Sequence, residues 1–181
     1  RSKSNTTTSV TLATGPTCTG YTFNKWNDGT TNYDAGASYT PTKNTTMTAQ
    51  WTINTSKLTV DPNGGSVSVT SPTGGTAQSV STSTDFTQNY NTTLTYAAPT
   101  RNNSTSTSSS WTISYKPNGG TTTPSNQSST RTIVTQYAFT GWSKSDNNKC
   151  SGISSTSGAG TYTYPATQGN ECKITAGWNS S

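Results

Sequence analysis

The chain has 181 residues, of which 25% are hydrophobic and 9% charged, with a net charge of +5 and no histidine. So few aliphatic side chains exclude an ordinary large core, and abundant Ser and Thr disfavour helix interiors. The low charge argues against disorder, and the five Trp, nine Tyr and three Phe residues can each bury about 150–250 Å². We therefore predict an all-β protein with thin, aromatic-centred cores and little or no helix.

An aromatic motif near the start of the chain, Tyr21-Thr-Phe23-Asn-Lys-Trp26, recurs near its end as Tyr137-Ala-Phe139-Thr-Gly-Trp142. A Gly-rich turn and a Tyr-Pro strand follow each copy, which then closes on Thr-Ala-Gln-Trp51 or Thr-Ala-Gly-Trp178. Residues two apart on a strand share one face, so these aromatic side chains are expected to pack together. Stacking on sugar by an exposed tryptophan is the alternative. The predicted structural core residues are Tyr21, Phe23, Trp26, Trp51, Tyr137, Phe139, Trp142 and Trp178.

A second motif joins a short alternating strand to a Pro-Asn-Gly-Gly corner. It occurs as Leu58-Thr-Val-Asp-Pro-Asn-Gly-Gly65 and again as Ile113-Ser-Tyr-Lys-Pro-Asn-Gly-Gly120. Proline presets the first turn residue, and glycine supplies a positive φ for a bulged hairpin. The predicted turn residues are Pro62, Gly64, Pro117 and Gly119.

The order of these motifs resembles the Listeria-Bacteroides repeat, or internalin B-repeat, family. The matching marks are a strand ending in DPNGG or KPNGG, a PTR-type segment such as Ala98-Pro-Thr-Arg101, the aromatic motif and a closing AQW. The resemblance implies small β-grasp-like sheets in tandem repeats. It also implies an extracellular place on the bacterial cell surface, where such repeats serve as spacers or adhesive modules.

The first copy lacks an opening strand and its corner, so residues 1–53 are expected to be a truncated or rear part of a repeat. The remainder has two possible phasings. Residues 57–111 form a degenerate repeat and 112–178 a full one, or residues 57–178 form one repeat with a hairpin inserted at Trp111. We favour two units. The Ser/Thr run after Arg101 is then a linker or an edge strand.

Cys150 and Cys172 both lie in a segment of the last repeat that is longer than its counterpart in the first. A disulfide between them would close a loop of about 20 residues and contribute on the order of 3 kcal/mol. Two free buried thiols are the alternative. Cys18 is left over and pairs, if at all, outside this chain.

The chain offers little chemistry for catalysis. Six carboxylates are scattered and partly placed in turns, and no histidine is available to activate a serine, so we expect no enzyme and no catalytic residue. We expect no cofactor and no metal site, because neither Asn27-Asp-Gly29 nor Asp146-Asn-Asn148 extends into a calcium loop. Dispersed lysines and arginines predict no nucleic-acid binding, and the absence of a long apolar run predicts no membrane span in this fragment.

These features together predict a non-catalytic, extracellular structural or adhesive module that acts as a spacer or filament subunit. Ser/Thr-rich strands with few charges leave sheet edges poorly protected, so copies of the chain itself are the expected partner. The alternative is a module of an adhesin that binds host glycan or mucin. Exposure of the motif tryptophans on one face would favour the alternative.

Overall fold

A computed structural model describes residues 8–181, and the predicted all-β class is confirmed, since this part of the chain forms strands and contains no helix. Within it, therefore, no helix is long and apolar enough to cross a membrane. Residues 1–7 of the predicted first repeat lie outside the described residues. The strands are β1 (Val10–Thr11), β2 (Tyr21–Asn27), β3 (Asn32–Tyr33), β4 (Ser38–Tyr39), β5 (Thr48–Ile53), β6 (Thr55–Asp61), β7 (Val67–Thr70), β8 (Ala77–Val80), β9 (Thr84–Asn89), β10 (Thr93–Tyr96), β11 (Ser104–Ile113), β12 (Gln127–Thr135), β13 (Tyr137–Lys144), β14 (Gly160–Thr163) and β15 (Glu171–Ser180).

The first unit, residues 8–53, is a small pair of sheets. Strands β3, β2 and β5 form a three-stranded sheet in that order, and β1 pairs with β4. Strand β5 is therefore an edge of its sheet. No hydrophobic side chain of residues 8–53 reaches the burial of the main core, whose members all lie between Leu58 and Ala176. The first unit thus has only a partial core.

The second unit, residues 55–180, holds the main core. One of its sheets has the order β13-β15-β6-β9, and the other has the order β14-β10-β7-β8. Strand β6 alternates between buried and half-buried residues, with Leu58 and Val60 fully enclosed, because every second side chain of a strand points to the same face. The core lies between these sheets and is completed by aromatic side chains of β10, β13 and β14.

The opening strand of the second unit is β6, and it lies parallel to the closing strand, β15. Residues 112–178 are therefore not a self-contained repeat here, and the division into 57–111 and 112–178 that we favoured is not the arrangement in this structure. Strands β6 and β15 share one sheet and one core, which follows the other phasing. Strands β11 and β12 form a separate two-stranded hairpin inserted between Arg101 and Tyr137. The pairing of distant strands, which no local pattern encodes, decides between the two phasings.

The first unit reproduces the rear part of the second, strand by strand. Phe23 pairs with Trp51 as Phe139 pairs with Trp178, and each register shifts directly after the phenylalanine. Strands β1 and β4 pair antiparallel, as β10 and β14 do. Counterparts of β6, β7, β8 and β9 are absent from residues 8–53.

Candidate functional site

Trp142 of the second unit's aromatic motif lies in its core, and Phe139 and Trp178 pack against that core. Trp142 is only 2% exposed, and its ring lies 5.7 Å from that of Tyr96 and 5.5 Å from that of Phe139. Its indole N–H donates a 3.0 Å hydrogen bond to the carbonyl oxygen of Gly158. Trp178 packs against Phe139 at 5.9 Å and is half-buried. The edge-to-face geometry of these rings is that of core packing.

The same motif in the first unit is half-covered. Phe23 lies between Trp26 and Trp51 at ring distances of 5.2 and 5.9 Å, and the Trp26 indole N–H donates to the carbonyl oxygen of Ala13. Tyr21 is 40% exposed and so does not belong to a core, contrary to its predicted role. Tyr21 is the first residue of strand β2 and pairs with Ile53, the last residue of β5, so it lies at the end of its sheet.

Tyr137, the counterpart of Tyr21, also lies at the rim of its unit. The guanidinium of Arg101 stands 3.8 Å from the centre of its ring, which makes a cation–π contact. Its hydroxyl lies 3.2 Å from the Ser104 hydroxyl at the base of the inserted hairpin. The tyrosine therefore supports the point where the hairpin leaves the unit.

The predicted disulfide is confirmed. Cys150 and Cys172 are bonded, with their Cα atoms 5.0 Å apart, and both are buried. The bond ties the long loop after β13 to strand β15, which is the centre of the main sheet. Cys18 is a free, exposed cysteine in the first unit.

The two Pro-Asn-Gly-Gly corners have the same backbone conformation. Asn63 and Gly64 have φ of 48° and 83°, and Asn118 and Gly119 have φ of 42° and 95°. Each corner closes with an N–H donation from its second glycine to the proline carbonyl oxygen, at 3.0 and 2.9 Å. Their surroundings differ. Pro62 is fully buried, and its carbonyl oxygen also accepts the Trp178 indole N–H at 3.1 Å, whereas the whole second corner is exposed.

All six carboxylates have local partners. The pKa of Asp28 falls to about 2, because the backbone N–H groups of Thr31 and Thr30 donate to it within one turn. Asp146 accepts two backbone N–H bonds in the same way, and its pKa is also lowered. The remaining four form ion pairs, namely Asp34 with Lys25, Asp61 with Lys173, and both Asp85 and Glu171 with Lys57.

A shallow groove of about 400 Å³ lies on the outer face of the main sheet, lined by Lys57, Lys149, Lys173, Glu171 and Asp146. Its lysines and carboxylates are interleaved, and the hydrogen bonds that Lys57 donates to Asp85 and Glu171 raise the pKa of Lys57. Across residues 8–181 no three His, Cys, Asp or Glu side chains stand together as metal ligands would. The groove is a charged, solvated sheet face of paired ions.

Asn54 joins the two units and was missed by sequence reasoning. It is 8% exposed, and its side chain accepts the Thr22 hydroxyl at 2.6 Å and donates to the Ala166 carbonyl oxygen at 2.7 Å. Its backbone N–H donates to Gly20, and its carbonyl oxygen accepts the N–H of Tyr90. A single asparagine in a polar sequence carries no signal of this role, because all four partners are distant along the chain.

Close packing reinforces the junction. A Cβ atom on Gly20 would lie 1.9 Å from the ring of Tyr90, so only glycine fits there. The ring of Tyr21 meets Tyr90 edge-on at 6.5 Å. The first and second units are thus joined by the hydrogen bonds of Asn54 and by close packing of Gly20 and Tyr21 against Tyr90.

The inserted hairpin carries several exposed apolar side chains. Trp111 and Ile113 on β11 are 54% and 56% exposed, Tyr115 just after β11 is 38% exposed, and Ile133 and Val134 on β12 are 40% and 50% exposed. Every residue of β11 is exposed. Trp111 and Ile113, two residues apart, share one face at the far end of the hairpin, whereas Ile133 and Val134 lie nearer its base.

Two small all-β units in series, with an aromatic cluster at the same strand register in each, define a tandem-repeat β protein. Residues 2–50 match the family model of the Listeria-Bacteroides repeat domain, which confirms the resemblance drawn from the motifs. No curated protein and no solved structure matches the chain.

Proposed function

We propose that the chain is a non-catalytic structural module of a bacterial cell-surface protein, in which successive repeats act as a stiff extracellular spacer. The junction at Asn54 is the observation that carries the proposal. Repeat proteins stack units that contact only their neighbours, so their stiffness depends on each junction. Four hydrogen bonds to one buried asparagine link the two units, which supports a junction of low flexibility.

The family match supports the extracellular part of the proposal, because repeats of this family occur in bacterial surface proteins. The Cys150–Cys172 disulfide agrees with it, since such bonds persist in oxidising compartments. The engagement of all six carboxylates in turns and ion pairs supports a role without catalysis, because a catalytic acid or base must be free to reach a substrate.

The stiffness of the junction can be tested by distance measurement between spin labels. Cysteines at Ala35 and Ser83, both exposed, would carry one label in each unit of a Cys18→Ser chain. A narrow distance distribution is expected, and Asn54→Ala should broaden it, because truncation removes the hydrogen bonds of the Asn54 side chain to Thr22 in one unit and Ala166 in the other. Asn102→Ala, at an exposed position, is the control. A broad distribution in the chain with Asn54 intact would refute the spacer.

Glycan binding is a second candidate, and one observation favours it. The four motif tryptophans are buried or half-buried, but Trp111 is 54% exposed on the hairpin, where its indole is available for stacking. Binding to a mucin-type glycan array that is lost in Trp111→Ala and kept in Ile133→Ala would support this role. Equal signals from both variants would remove it.

A further inference from the structure

The motif that joins a short strand to a Pro-Asn-Gly-Gly corner occurs twice, at residues 58–65 and 113–120, but only the first occurrence forms the opening strand of a repeat unit. Leu58 and Val60 of the first motif are fully buried beside β15. Ile113 and Tyr115 occupy the same positions of the second motif, and both are exposed. Because the two corners share one backbone conformation, the corner of the second motif already has the turn that the first motif has beside β15.

The first unit, in turn, has a free sheet edge beside β5, and no opening strand among residues 8–181 pairs there. In the second unit, Glu171–Thr175 of β15 pair with Lys57–Asp61 of β6 in parallel. The matching registers of β5 and β15 make residues 44–48 the counterpart of Glu171–Thr175. Of these, only Thr48 is in a strand, and no strand of residues 8–181 pairs on this side of β5.

We propose that the hairpin of one copy of this chain binds the first unit of a second copy, with Ile113–Lys116 lying parallel to residues 45–48 of that copy. Ile113 and Tyr115 then take the places of Leu58 and Val60 over the half-buried Phe23, Trp26 and Trp51 cluster. Strand β12 already pairs antiparallel with β11 as far as Ile113, on the side that β9 takes beside β6, so it leaves the other side of the docked segment free for residues 45–48.

The corner itself supplies a second contact. In the second unit the Trp178 indole N–H donates to the Pro62 carbonyl oxygen. A Cβ atom added to Gly65 would lie only 2.5 Å from the Trp178 ring, so the glycine packs directly against the indole. Trp51 is the counterpart of Trp178, and its indole N–H makes no hydrogen bond within residues 8–181. In the docked pair, the Pro117 carbonyl oxygen accepts that N–H, and Gly120 lies flat against the indole.

Each copy has one hairpin to donate and one place to receive it, so the contact is head-to-tail. Such a heterologous contact extends into an open chain of copies unless its rotation closes a ring. The inference rests on the proposed structural function and adds its partner, a second copy. Assembly of copies is nevertheless a separate property from stiffness, because the stiffness of one chain does not depend on contact between chains.

Cross-linking between two different chains tests the register. Thr46 and Ser114 correspond to Lys173 and Thr59, which are direct partners in the second unit. A Thr46→Cys chain mixed with a Ser114→Cys chain, both with Cys18→Ser, should therefore form a covalent dimer under mild oxidation. A Ser128→Cys chain, altered on the other strand of the same hairpin, is the matched control and should give at least tenfold less. Equal yields or no dimer would overturn the proposal.

Sedimentation of the unaltered chain provides the second measurement. Its weight-average mass should rise with concentration above the 19.0 kDa of one chain. Ile113→Thr with Tyr115→Thr should hold the mass at that of one chain, because threonine keeps the strand propensity and removes the apolar contact. Ile133→Thr with Val134→Thr removes similar exposed apolar surface from β12 and should leave assembly intact. Loss of assembly in both pairs would indicate unspecific adhesion and overturn the register.

The two proposals fail separately. A narrow spin-label distribution without cross-linking would leave a monomeric spacer. Cross-linking with a broad distribution would leave strand donation between flexible chains.

Discussion

Truncation of Trp142 should unfold the second unit and spare the first. The side chain is 2% exposed, contacts two other aromatic rings and donates one hydrogen bond to a backbone carbonyl. Truncation of a buried tryptophan costs about 3–5 kcal/mol, of which each lost aromatic pair accounts for about 0.5–1.5 kcal/mol. Total stabilities of small domains are about 5–15 kcal/mol, so this loss is a large part of the reserve.

The control is the same substitution at the equivalent position. Trp26 occupies the register of Trp142 in the first unit but is only half-buried. Because less of its surface leaves water, Trp26→Ala should cost about half as much. Any destabilisation should be confined to residues 8–53.

Hydrogen exchange followed by mass spectrometry separates these effects, because peptides from the two units report on each unit independently. Trp142→Ala should speed exchange throughout β6, β9, β13 and β15 and leave β2 and β5 near their original rates. If the Trp142→Ala chain exchanged like the unaltered one, the tryptophan would not be a core residue. Equal loss in both units would show that they fold as one.

Three further outcomes follow from the structure. Replacement of Cys150 and Cys172 by alanine should lower the free energy of unfolding by about 3 kcal/mol, measured by urea denaturation, because the closed loop spans 22 residues. Gly65→Ala should destabilise the second unit, since its Cβ would lie 2.5 Å from a backbone carbonyl oxygen, whereas Gly120→Ala, at 3.1 Å in an exposed turn, should unfold at the original urea concentration. Burial raises the pKa of Tyr164 from 10.0 to about 12, so the contribution of its neutral hydroxyl to stability is full below pH 10 and is lost between pH 10 and 12. Circular dichroism should therefore show unfolding between pH 10 and 12, and Tyr164→Phe should reduce the extent of this alkaline unfolding.

The amino-acid sequence by itself determined the all-β class, the disulfide and the corners. Short-range chemistry is enough for each of these. Ser and Thr disfavour helix, a Pro-Asn-Gly-Gly segment turns wherever it lies, and Cys150 and Cys172 both flank one long loop. The duplicated aromatic spacing was equally visible, and it places Phe23 and Phe139 at the same register in the two units.

Only the tertiary structure decided which opening strand is used. Leu58 and Ile113 begin nearly identical motifs, and their local patterns predict the same strand and corner. The choice depends on which strand pairs with β15, a contact between residues more than one hundred positions apart. For the same reason the burial of Asn54 could not be predicted, because it depends on a residue of the other unit. Local patterns encode turns and faces, whereas strand partners and unit junctions arise only when distant segments compete for one core.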